Sequence, residues 1–199
     1  MPTQSIKPAA STDSSSAIPD RDDSRIEVLF LTGQPGAGKT AVAKELGEML
    51  WKIREPHAII DVDELCRGVL PTQTPNFNRS LAVANLTAIW ANFHAAGVRR
   101  LILARIIESP DDIDQFAGAI PNAHLIVCLL HAPEGIIQQR ITEREPGSAR
   151  NFLLTVTTRI AERIASFDFP GIHVDNSQRP LNEVAREILK RADWPCPPA

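Results

Sequence analysis

The chain has 199 residues, 43% of them hydrophobic, enough for one substantial core and too few for two ordinary domains beside a tail. With 21 Lys and Arg against 24 Asp and Glu, a net charge of −3, it carries no global basic field, so neither a nucleic-acid nor a membrane partner is expected. Apolar runs such as 125–130 have strand length, far below the roughly 20 residues that cross a bilayer. Residues 1–24 are dense in Ser, Pro and Asp without apolar periodicity and read as a disordered lead-in. They lack the continuous hydrophobic segment and basic start of a signal peptide. An apolar strand candidate at 26–31 follows, then Gly33, Gln34, Pro35, Gly36, Ala37, Gly38, Lys39 and Thr40, then a helical run at 39–51 that includes Ala41.

The eight residues from Gly33 match GxxxxGK[ST]. Between a strand and a helix, this pattern makes a triphosphate site. Successive N–H groups of a glycine-rich loop converge on an anion, and the helix adds its positive end. Lys39 then reaches the β- and γ-phosphates, and the Thr40 hydroxyl ligates Mg²⁺.

The next strand candidate, 58–60, delivers Asp61 and Asp63 where it leaves the sheet. One carboxylate can address Mg²⁺ while the other faces a second substrate, the two functions phosphoryl transfer needs; a turn or a cap for 64–70 is the alternative. A helix spans 78–96 and ends at Gly97. Strand 101–104 leads to Arg105, and Ser109-Pro110-Asp111-Asp112 starts a helix over 111–119 with a hydroxyl cap, a first-turn proline and carboxylates at the positive end. Strand 124–130 ends at His131. Helices follow at 133–145 and 148–167, then strand 172–174, Asp175 and Asn176, and a helix at 181–192. The proline-rich end is expected to fray from about 195, leaving one domain over 25–194.

Five strands joined by helical crossovers cannot be hairpins, so the expected fold is α/β, a five-stranded parallel sheet with helices on both faces. Ligands bind at the carboxyl ends of such strands. There the sequence places the phosphate loop, Asp61, Asp63, Arg105, His131, Asp175 and Asn176. Arg105, on the strand expected beside the loop strand, points to an anionic or strongly polar part of the acceptor; pairing with Asp61 or Asp63 is the alternative. Cys66, Cys128 and Cys196 are odd in number and show no C-x-x-C, which argues against a disulfide framework or a zinc site and fits a reducing cytoplasm.

GQPGAGKT, IIDVDELCRG and the arginine-rich QQRITEREPGSAR together resemble the small-molecule kinases of the P-loop superfamily, near the adenylylsulfate, gluconate, shikimate and chloramphenicol kinase-like group, over about residues 26–192. The resemblance implies ATP and Mg²⁺ as cofactors and a hydroxyl-bearing small molecule as acceptor. It implies that Asp61 holds a magnesium-bound water and that Asp63 contacts or activates the acceptor hydroxyl. It also implies a helical lid near 138–150, with Arg140 near adenine and Arg144 on the transferring phosphate, and an adenine-side loop at 174–180 that includes Asn176. Arg140, Glu143 and Arg144 also have the spacing of a solvated ion-pair face. Acceptor contacts are expected from Asp63, Arg67, Phe77, Arg79 and Arg105, with the segment 71–79 as the variable substrate loop. Adenylylsulfate kinases have an arginine three residues after the second Asp, where this chain has Cys66 and the arginine comes one later, at Arg67. Zeta-toxin-like kinases share the loop and D-x-D-E features on much longer chains.

Other P-loop classes fit less well. A GTP switch needs NKxD, which is absent, and the only DxxG is 168–171, after the expected lid. An ATP-hydrolysing adaptor or nucleotide-binding regulatory protein remains the alternative, although its usual Asp-Glu Walker B is missing, since strand 101–104 ends in Arg105.

Overall fold

The computed structural model of the chain describes residues 25–67 and 78–198. The lead-in 1–24, Phe77 and most of the substrate loop lie outside the described residues.

Five strands, β1 (Ile26–Thr32), β2 (Ala58–Asp61), β3 (Arg100–Ala104), β4 (Ala123–His131) and β5 (Ile172–Asp175), form one sheet in the order β2-β3-β1-β4-β5. Every neighbouring pair is parallel. The helices are α1 (Lys39–Lys52), α2 (Arg79–Ala95), α3 (Pro110–Gly118), α4 (Glu134–Arg144), α5 (Gly147–Ala165) and α6 (Leu181–Arg191), with a 3-10 turn at Glu64–Cys66. The expected α/β architecture is therefore observed, with element ends shifted by a residue or two.

Continuous apolar strands such as IEVLFLT and RLILA follow from burial on both faces. Side chains alternate across the pleat, so Leu29 and Leu31 join Leu46, Leu50, Ile188 and Leu189 of α1 and α6 on one face. Val28 and Phe30 join Leu86, Trp90 and Phe116 of α2 and α3 on the other. Phe30 meets Phe116 edge to face at 5.7 Å. Each such buried side chain contributes about 1.5–3 kcal/mol of transfer free energy.

Polar side chains fix the starts of two helices, α2 and α3. Asn78 caps α2 by accepting from Leu81 N–H at 3.0 Å. At α3 the Asp112 carboxylate accepts from Glu108 N–H at 2.8 Å and Ser109 N–H at 3.0 Å, and pairs with Arg79 at 2.6 Å. One buried carboxylate thus ties the starts of α2 and α3 together.

Trp194 closes the expected domain, and the proline-rich segment after it makes contacts back to α6. Trp194 is 4% exposed within the α1 and α6 core, with the Arg100 guanidinium 5.8 Å from its ring centroid. Arg186 donates to the carbonyls of Pro197 and Pro198 and contacts the Cys196 sulfur at 3.5 Å. The indole supplies apolar anchorage, and the several donors of one guanidinium satisfy prolyl carbonyls whose backbone has little entropy to lose. Among the described residues no helix is long and apolar enough to cross a membrane.

Candidate active site

The carboxyl ends of β1, β2, β3 and β5 bring most of the expected site residues together. The loop after β1 takes three glycines into positive φ, at Gly33 (138°), Gly36 (85°) and Gly38 (97°). A Cβ at Gly33 would sit 2.3 Å from Leu130 O, and one at Gly38 would sit 2.3 Å from Asn176 Nδ2, so neighbours as well as dihedrals demand glycine.

Lys39 starts α1 and turns its ammonium back over the loop, donating to Gly33 O at 2.9 Å and Gln34 O at 3.4 Å. Burial pulls its pKa down; Asp63 and Asp61 oppose that, and the charge of Arg144 adds to it. The arginine expected over the transferring phosphate is therefore near enough to be felt at Lys39. Thr40 donates to Asp61 Oδ2 at 2.6 Å, and Asp63 N–H donates to Asp61 Oδ1 at 3.2 Å. Ala41 is exposed in the same first turn of α1.

Asp63 stands at the head of the 3-10 turn with helical backbone and makes no side-chain cap bond, so the cap reading does not describe it. Its carboxylate faces Arg105, Nη1 to Oδ1 at 3.4 Å. Arg105 is 6% exposed, with its guanidinium 5.0 Å from the Phe116 ring centroid and Nη1 3.5 Å from Cys66 Sγ. Burial raises the Asp63 pKa; Lys39 and Arg105 pull it back, and Asp61 and Glu64 push it further up. A partly buried carboxylate with raised proton affinity beside a phosphate loop is chemically suited to accept a proton.

Arg140 does not lie on a solvated ion-pair face. It donates to Asn176 O and Ser177 O, each at 2.8 Å, and reaches Gly36 O at 3.5 Å. Asn176 is buried and donates through Nδ2 to Ala37 O at 2.7 Å, while its Oδ1 has no protein partner. Arg144 pairs with Glu145 at 2.7 Å on the surface.

Two expected acceptor residues are engaged by other carboxylates. Arg67 is largely exposed and pairs with Glu64 at 2.7 Å, and Arg79 is held by Asp112. His131 serves through its backbone, accepting from Asn176 N–H at 2.8 Å. Two threonines escaped the sequence reading. Thr32 Oγ1 accepts from Ile107 N–H at 2.9 Å and shapes the turn that carries Arg105, while Thr157 of α5 donates to Pro35 O at 3.2 Å. Neither belongs to a local pattern that could have marked it.

Among the described residues no three or more His, Cys, Asp or Glu are grouped to hold a metal. The oxygen pair of Thr40 and Asp61 nevertheless fits Mg²⁺, which takes few protein ligands and completes its shell with phosphate oxygens and water.

No family model matches the chain. It is similar to a UPF0200 protein of Pyrococcus abyssi, 25% identical over 182 residues that span 81% of this chain and 97% of that one. Among solved structures it resembles the tunicamycin resistance protein of Deinococcus radiodurans (18% identity, TM-score 0.61, 88% of this chain and 100% of that one). It also resembles a gluconokinase of Sinorhizobium meliloti (19%, 0.57, 87% and 94%). A third likeness is to the APS kinase of Mycobacterium tuberculosis in complex with AMPPNP and APS (17%, 0.54, 85% and 98%). The fold is that of the P-loop small-molecule kinases.

Proposed function

We propose that this P-loop protein is an ATP-dependent phosphotransferase that phosphorylates a hydroxyl group of a small molecule. The observation that carries the reading is the continuous line from Lys39 and Thr40 through Asp61 to a partly buried Asp63 whose proton affinity is raised. In an ATP hydrolase the second carboxylate orients water; here Asp63 stands beside the Arg105 guanidinium, a cation available to an acceptor molecule. The fold shared with a gluconokinase and with an APS kinase solved with AMPPNP supports the same choice of donor.

Loop N–H groups bind the phosphates, and Lys39 leaves its carbonyl partners to neutralise the β- and γ-oxygens. Thr40 and Asp61 would hold Mg²⁺, Asp61 by way of a bound water. When bound, the ion supplies electrostatic stabilisation of charge developing on the phosphates. Asp63 orients the acceptor hydroxyl and takes its proton as the oxygen bonds to the γ-phosphorus. The bond to the β,γ-bridging oxygen breaks, and ADP leaves. Arg105, held beside Asp63, offers its remaining donors to an anionic or strongly polar part of the acceptor. Arg144 comes over the γ-phosphate as α4 and the start of α5 close as a lid.

A reducing cytoplasm is the compartment we assign. Cys66 and Cys128 are buried free thiols, and burial pushes Cys128 up to about 12, leaving it no thiolate to react. ADP release measured with a panel of hydroxylated metabolites, against release without acceptor, tests the function. Acceptor-dependent release with a phosphorylated product is expected; equal release throughout makes the protein a hydrolase.

A further inference from the structure

Three consecutive carbonyls of the phosphate loop are each held by a side chain from far along the chain. Thr157 holds Pro35 O at 3.2 Å, Arg140 reaches Gly36 O at 3.5 Å, and Asn176 holds Ala37 O at 2.7 Å. In a trans peptide the carbonyl and the next N–H point opposite ways, so a carbonyl pinned outward aims the following N–H inward. The Pro35 and Ala37 pins therefore aim the N–H groups of Gly36 and Gly38 into the cradle. Ala37 N–H, next to the Gly36 carbonyl, closes a turn by donating to Gln34 O at 3.0 Å.

Thr157 differs from three other helical threonines. Thr87, Thr142 and Thr155 donate back to the carbonyl four residues earlier, at 3.0, 2.8 and 3.0 Å, the default for a hydroxyl on a helix. Thr157, 2% exposed, spends its hydroxyl on the loop instead. Two of the three pins come from the α4 and α5 pair, whose helices are separated by Glu145 and Pro146.

We propose that Thr157 is a positioning residue that keeps the phosphate loop in its anion-binding shape, and that through it the α4 and α5 pair sets nucleotide affinity. The nucleotide part rests on the phosphotransferase reading; the positioning part does not. Thr157→Val removes the donor at nearly constant volume. Calorimetry is expected to give about tenfold weaker Mg-ATP binding, the worth of one hydrogen bond. Without nucleotide, amide exchange at Gly36 is expected to quicken. Thr157→Ser should restore both readouts. Ile160→Val, one turn along α5 and buried, should lower the thermal midpoint and change neither.

Parent-like Gly36 exchange in Thr157→Val overturns the proposal, as does an equal change of both readouts in Ile160→Val. Thr157→Ala takes the place of the valine variant if valine prevents folding. A parent protein that does not bind Mg-ATP would defeat the nucleotide reading, while Gly36 exchange still decides whether Thr157 positions the loop.

Discussion

Lys39 is held by two carbonyls and buried against its charge, so a bound triphosphate gives it what the protein alone does not. Mg-ATP at a hundredfold excess over Kd should stabilise the fold by about 2.7 kcal/mol, and Lys39→Ala should remove most of that rise in thermal midpoint. Equal stabilisation of parent and variant refutes the loop assignment. Asp63→Asn keeps shape and loses charge; kcat should fall by roughly 10²–10⁴ while calorimetric Mg-ATP affinity stays within a few-fold. The same variant should be more stable without ligand. Because the folded pKa of Asp63 lies above its unfolded value, ionisation costs stability as pH rises through the folded pKa. The thermal midpoint of Asp63→Asn should exceed the parent's at neutral pH, and the gap should close as pH falls toward the unfolded value. Arg105 pulls the Asp63 pKa down, so Arg105→Met should move the acidic limb of the kcat/KM profile to higher pH and raise acceptor KM; an unmoved limb separates Asp63 from the titration. The phosphate loop and the Asp61 and Asp63 pair were legible in the sequence because each lies in one short stretch. The Arg105 to Asp63 contact joins positions 42 apart and was reachable only as the alternative that strand-end placement offered, while the Thr157 to Pro35 contact joins positions 122 apart and no pattern records it.

The elements themselves were nearly all legible, since a parallel sheet buried on both faces makes strands into continuous apolar runs. Pro146 and Gly147 likewise marked the break between α4 and α5. What periodicity could not tell was the partner of each polar residue on α4. Arg140, Glu143 and Arg144 share helical spacing, yet Arg140 turns to backbone carbonyls, Glu143 takes Gln139, and Arg144 takes Glu145. Arg144 is 58% exposed in a surface pair, so Arg144→Ala should leave the thermal midpoint within a degree or two of the parent's. If the helix pair closes over nucleotide, the same change should lower kcat by orders of magnitude through loss of a forked cation at the transferring phosphate. An unchanged kcat reduces Arg144 to a surface pair.

At the scale of the whole molecule, the end of the described chain belongs to the fold. Composition pointed the other way, because proline-rich ends usually fray, and the sequence does not show that Trp194 lands in a core built by α1 and α6. Trp194→Ala should cost about 3–5 kcal/mol, a drop of roughly ten degrees or more in thermal midpoint, read by calorimetric scanning. A drop under two degrees returns the segment to a loose tail. The hydrogen bond from Asn176 to Ala37 spans 139 positions, and it bears on how the protein is made. Among the described strands, the one that leads into the phosphate loop is the earliest in the chain and the central one of the sheet, so it waits for β3 and then β4 before it has neighbours on both sides. The loop waits longer, until Asn176 has left the ribosome. A nascent chain shorter than that holds the whole glycine-rich stretch and still has an incompletely braced cradle.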